Sequence, residues 1–158
     1  MTRPPNFKPP PGTCDSHIHV YGDPARFPSL PVNGREIEAH YLNGYVALRD
    51  ALGLSRTVII QTPHFGIDNS SLLDSIAALG QENARGIAVT QSDILEAELE
   101  ELHTGGVRGL RFGIELARGM RPPHLEEVAA RIAPLGWHIQ YRSTEKDLPE
   151  LADRLAAL

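Results

Sequence analysis

Five short, β-branched or apolar runs recur along this chain, and each leads toward a segment with helical periodicity. The runs begin at Thr13, Thr57, Gly86, Val107 and Trp137, on average about 31 residues apart, the size of one unit in an eight-unit barrel of roughly 250 residues. Runs this short and apolar, separated by helices, read as parallel strands covered on both faces. The intervening segments carry apolar residues at 3.6-residue spacing, with capping residues and terminal glycines. Asn43 is expected to cap a helix bearing Tyr45, Leu48 and Leu52 that stops at Gly53. Asn69 is expected to cap one with Leu72, Leu73, Ile76 and Leu79 facing inward. Ser92 opens a third with Leu95, Leu99 and Leu102, ending at Gly105-Gly106. A fourth carries Leu125, Val128, Ala129, Ile132 and Leu135 before Gly136. Asp147 opens the last, with Glu150 as capping-box partner and Leu151, Leu155 and Leu158 on one stripe.

Two architectures accommodate five such units. One is a flavodoxin-like doubly wound sheet. The other is a TIM-barrel (β/α)8-type fold of which the chain holds the first five units. With 158 residues the chain is long enough for one real core, expected over residues 13–158 after a flexible, proline-rich arm at 1–12. Fifteen Lys and Arg against twenty Asp and Glu leave a net charge of −5, which disfavours nonspecific attraction to nucleic acid or anionic membrane. No run approaches the roughly 20 apolar residues of a membrane span. The single cysteine, Cys14, rules out an internal disulfide and points to a reducing, cytoplasmic compartment.

The chemistry-bearing residues gather at the ends of the runs. The first reads Asp15-Ser16-His17-Ile18-His19, and strand alternation sets Asp15, His17 and His19 on one face. Two imidazoles at i and i+2 converge on one metal ion, carbonyl oxygen or carboxylate. The second run ends at Gln61-Thr62 and is followed by the loop from His64 to Asn69, which feeds a helix N-terminus suited to anions. Arg111, near the end of the fourth run, presents a planar fork for a substrate carboxylate, and Arg118 and Arg121 follow in a loop able to close over an anion. On the fifth run His138, Gln140 and Arg142 alternate with Trp137, Ile139 and Tyr141. That polar face lacks partners in a flavodoxin-type core but suits a barrel mouth, which favours the barrel. His40, His103 and His124 are expected at the surface.

Several stretches together resemble the amidohydrolase-2 branch of the amidohydrolase-like metal-dependent hydrolases, and within it the lactonases of the 2-pyrone-4,6-dicarboxylate type. They are the Pro-Pro-Gly lead-in, Asp15-x-His17-x-His19-Val20-Tyr21-Gly22, Ala47-Leu48-Arg49-Asp50-x-Leu52-Gly53 and Gly66-x-Asp68-Asn69. Ala84-Arg85-Gly86-Ile87-Ala88-Val89, Gly106-Val107-Arg108-Gly109-Leu110-Arg111-Phe112 and Gly136-Trp137-His138 complete the match in order. The resemblance implies a (β/α)8 barrel that opens a cyclic ester by attack of water. It implies that His17 and His19 position and polarise the carbonyl, or ligate a divalent metal such as zinc where one is bound. It further implies that no metal is strictly required, because members of this lactonase branch can work without one. Arg111 would hold a substrate carboxylate, with His64, Asn69, Arg118, Gln140 and Arg142 as further substrate-binding residues. The expected partner is a small carboxylated lactone, from aromatic or sugar-acid catabolism.

The chain departs from the lactonase pattern at particular places. The sixth-strand histidine and the eighth-strand aspartate that acts as general base would lie beyond Leu158. Ile67 replaces a threonine, Ala117 stands where a second arginine is expected, and Arg142 takes a tyrosine position. The competing expectations are a catalytically inactive half-barrel that self-associates through exposed strand edges, and a small-ligand-binding α/β domain.

Overall fold

A computed structural model describes residues 6–31, 41–113 and 122–158 of the chain. Five strands, β1 (Cys14–Ile18), β2 (Arg56–Ile60), β3 (Ala84–Ala88), β4 (Val107–Gly113) and β5 (His138–Arg142), alternate with helices. The helices are α1 (Leu42–Leu52), α2 (Ser70–Leu79), α3 (Glu96–Thr104), α4 (Leu125–Ile132) and α5 (Leu148–Ala156). All four strand pairs are parallel and the sheet order is β1-β2-β3-β4-β5. A doubly wound sheet places its first strand between later ones, so the sequential order excludes the flavodoxin-like alternative.

One continuous core lies between the sheet and its helices. Ile59, Ala84, Ala88, Leu110 and Phe112 meet Leu72 and Ile76 of α2, Leu99 and Leu102 of α3, and Leu125, Val128 and Ile132 of α4. Each fully buried leucine, isoleucine or phenylalanine contributes about 1.5–3 kcal/mol. On the opposite face the sheet curls inward. Gln140 of β5 reaches His17 of β1, with Nε2 and Nδ1 3.5 Å apart across the concave side. In an eight-stranded barrel, strands four places apart stand opposite each other across the axis, and odd-numbered strands share a layer of interior side chains. The curl therefore has the radius of an eight-stranded barrel, of which these strands form a partial TIM barrel.

Close packing inside the arc explains one glycine. A Cβ on Gly109 would stand 2.6 Å from the His138 carbonyl oxygen and 3.0 Å from the end of Ile87. Burial falls away from the centre: six of the seven β4 residues are buried, whereas β1 and β5 have none.

Several local expectations change. α1 begins at Leu42 with Tyr41 at its N-cap, and Asn43 lies inside the helix, its side-chain oxygen accepting the Gly44 N–H. Ser92 does not open α3, which starts at Glu96. The stretch before it turns at Ser92 and Asp93, with the Ile94 N–H on the Gln91 carbonyl, and is tied down by Arg131 of α4, which donates to the carbonyls of Ser92 and Ile94 and pairs with Glu96. Asp147 takes the N-cap position of α5 but turns its carboxylate to Thr144. Leu158 is 55% exposed rather than inside the α5 stripe. His103 is half-buried, stacked against Trp137 and accepting its indole N–H at 2.9 Å. His40, Arg118 and Arg121 lie outside the described residues.

Candidate active site

The carboxyl ends of the strands converge on one concave mouth. β1 delivers its histidines through an irregularity. Asp15 pairs with Thr57 and Ile18 with Ile59, so three steps on β1 match two on β2. The extra residue rotates the chain. Asp15 consequently faces α1, where the Tyr45 hydroxyl lies 3.5 Å from its carboxylate, while His17 and His19 face the concave side. The expected sharing of one face by Asp15, His17 and His19 does not hold. A bulge cannot be read from alternation, which assumes an unbroken ladder.

His19 is oriented by a firm bond. Its Nδ1 lies 2.8 Å from the Ile60 carbonyl oxygen, which only accepts, so Nδ1 carries the proton and Nε2 presents a lone pair. Burial holds its pKa below the ordinary 6.5, against the pull of that carbonyl, and nearby Arg111, His17 and His64 lower it further. The His17 ring meets it edge-on, centroids 5.2 Å apart. His64 follows β2, with its N–H on the Thr62 hydroxyl and its ring edge-on to Tyr21 at 5.6 Å. Burial lowers its pKa too, and its Nδ1 is enclosed without a hydrogen-bond partner. Tyr21 and Thr62 are members of this wall that sequence reasoning passed over. Their signal was adjacency, since Tyr21 lies two residues beyond His19 in the quoted stretch.

Arg111 is the most unusual group. It is only 7% exposed, yet its Nε and Nη1 are enclosed without hydrogen-bond partners. Burial lowers its pKa and so does the neighbouring Arg142 guanidinium, but arginine remains charged at neutral pH. Arg111 is in register with Gln140 and Gly113 with Arg142, so β5 sets Gln140 and Arg142 beside it on the same face. The Gln140 side-chain oxygen is enclosed and unbonded as well. Asn69 sits at the α2 N-cap position without capping it. Its amide donates to the carbonyls of Ile67 and Val89 and accepts the Val89 N–H, tying the β2–α2 loop to the end of β3.

The mouth is therefore cationic or neutral at every group named, in a chain whose net charge is −5. A zinc site draws three or four ligands from protein. With Asp15 turned away, His17 and His19 supply two, and no group of three His, Cys, Asp or Glu is poised for a metal among the described residues. These described residues do not by themselves make a metal centre.

The sequence profile of the amidohydrolase (Amidohydro_2) family matches residues 14–158. The chain belongs to the amidohydrolase family. It is 41% identical over 157 residues to a 2-pyrone-4,6-dicarboxylate hydrolase of Comamonas testosteroni, covering 98% of this chain and 51% of that protein. It is 30% identical over 154 residues to a 4-sulfomuconolactone hydrolase of Rhizobium radiobacter, covering 96% and 51%. An apo crystal structure of an Agrobacterium tumefaciens protein superposes with a TM-score of 0.83 at 25% identity, over 96% of this chain and 55% of that one. The chain thus spans about half the length of the curated relatives it matches. Among the described residues, no helix of this amidohydrolase chain is long and apolar enough to cross a membrane.

Proposed function

We propose that this chain carries the substrate-anchoring part of a hydrolase that opens a carboxylated cyclic ester. The observation that carries the reading is Arg111, a buried guanidinium with two unbonded nitrogens at the mouth. A buried charge of this kind calls for a counter-charge, and a planar carboxylate matches its fork. Arg142 on the adjacent strand offers a second cation, which suits a substrate with two anionic groups. The names of the curated relatives, a pyrone dicarboxylate hydrolase and a sulfomuconolactone hydrolase, agree with such a substrate.

The two strand-one histidines divide the work. With Gln140 Nε2 donating toward His17 Nδ1, His17 Nε2 carries the proton that a lactone carbonyl accepts. His19, protonated on Nδ1 by its bond to Ile60, turns a lone pair toward the attacking water. His64 and Gln140 line the substrate, and Asn69 positions the loop that carries His64. Arg118, outside the described residues, is retained as a further anion contact.

Calorimetric titration tests the reading, with 2-pyrone-4,6-dicarboxylate and benzene-1,3-dicarboxylate as a non-hydrolysable mimic. We expect both to bind and Arg111→Met to weaken binding at least tenfold; failure of both to bind refutes the proposal. A second reading, binding without turnover, is favoured by one observation. No carboxylate is among the groups named in the mouth, whereas the resemblance to the lactonases implies an aspartate as general base. Release of ring-opened product in a single-turnover assay separates the two.

A further inference from the structure

Away from the mouth, a cavity of about 550 Å³ lies between α2 and α3 and the loops that lead into them. Leu73 of α2 and Leu102 of α3 form its apolar wall, and the side chain of Leu95, 66% exposed, stands beside them. Its size falls in the range of about 300–1,000 Å³ that small-molecule sites occupy. Both sides are fastened from outside the cavity. Arg131 holds the carbonyls of Ser92 and Ile94 on one side, and Asn69 ties the β2–α2 loop to Val89 on the other.

The polar groups on this wall decide the charge of what fits. Asp68, Asp93, Glu98 and Glu101 line it, and no lysine or arginine does. Two of these carboxylates are occupied by helix ends. Asp68 accepts the Ser70 N–H at the start of α2, and Glu98 accepts the Leu95 N–H at the start of α3. Those contacts quench the two helix N-termini as sites for an anion. Asp93 and Glu101 are left, and neither side chain makes a hydrogen bond or ion pair among the described residues. Thr90 lines the same cavity while only 4% exposed, and its Oγ1 is enclosed without a partner. A buried hydroxyl left unbonded carries a desolvation cost that a ligand donor removes. Carboxylates only accept hydrogen bonds and a hydroxyl can accept one, so N–H donors on a cation satisfy all three groups. A bare metal ion does not, since among the described residues no three His, Cys, Asp or Glu are placed to hold one.

We infer that the α2–α3 cavity binds a small organic cation, a primary ammonium or guanidinium group on an apolar stem. The head takes its acceptors from Asp93, Glu101 and the Thr90 hydroxyl, and the stem lies along Leu73 and Leu102. Of the mouth residues named above only Asn69 borders this site, which binds its cation whether or not a lactone is opened.

The test titrates the 158-residue chain with 4-phenylbutylamine, followed by amide NMR, with 4-phenylbutanol and 4-phenylbutanoate as neutral and anionic counterparts. Saturable shifts are expected at the Thr90 and Leu102 amides at millimolar amine. The alcohol should bind at least tenfold more weakly, and the acid not at all. Asp93→Asn combined with Glu101→Gln, both at exposed positions and checked for fold by circular dichroism, should weaken amine binding at least tenfold. Thr90→Val, which removes the unbonded hydroxyl, should weaken it at least threefold and leave the urea midpoint unchanged or higher. Equal binding of amine and alcohol overturns the inference, as does amine binding indifferent to these substitutions. Absence of saturable shifts with the amine sinks it too, even where an oligolysine peptide binds, because the cavity is then a protein-docking groove.

Discussion

A guanidinium enclosed with two nitrogens unbonded destabilises the free chain and favours the liganded one. Replacing Arg111 by methionine should therefore raise stability by about 1–3 kcal/mol in urea unfolding without ligand, since apolar replacements of buried ionic groups are often stabilising. The same variant should lose the stabilisation that added dicarboxylate gives the parent chain. A parent chain that unfolds at a higher urea concentration than the variant, ligand absent, would contradict the assignment. His19 and His64 make a second prediction. Burial lowers both in the folded chain relative to 6.5. Below pH 6.5 the unfolded chain takes up protons that the folded chain resists. Their contribution to stability is thus complete above that pH and declines as pH falls toward the lowered values. Urea midpoints measured from pH 8 to pH 5 should drop on the acid side, and His19→Asn, which keeps a donor for Ile60, should flatten the drop.

Elements here are held in register by a few side chains at their ends. Asn69 makes three bonds to backbone, and Asn69→Ala leaves the Val89 N–H and carbonyl unsatisfied. At about 1 kcal/mol per bond, a loss of about 2–3 kcal/mol is expected in thermal or chemical unfolding. Gly109→Ala sets a methyl group against the His138 backbone, which cannot give way without parting β4 from β5. Its cost should exceed that of an alanine placed at exposed Gly44, where nothing stands within 4 Å. The element pattern itself was legible, because apolar runs and 3.6-residue stripes reflect burial, and burial dominates the energy of these units. Their boundaries were not. Ser92 looked like a cap because the pull of Arg131, 39 residues away, leaves no local trace. The turn of Asp15 away from His17 depends on a one-residue mismatch with β2, a property of two strands and not of one. Arg111 was found from its place at a strand end, but its enclosure, and hence its interest, came only from the fold around it.

At the scale of the molecule, sequence spacing favoured a barrel arc over a doubly wound sheet only through the polar face of β5. The sequential strand order and the contact between His17 and Gln140 supply what spacing lacked. That order also governs how the chain comes apart. Among the described residues every strand pair joins neighbours in sequence, so the sheet behaves as a linear array whose units depend on the next unit along. Opening should start at the ends and move inward, with amide exchange fastest in β1 and β5 and slowest in β3 and β4. Uniform exchange across the five strands would contradict this. Brief digestion with a protease should accordingly trim from both termini and leave a resistant centre around β2 to β4, a minimal seed on which the outer strands can reassemble.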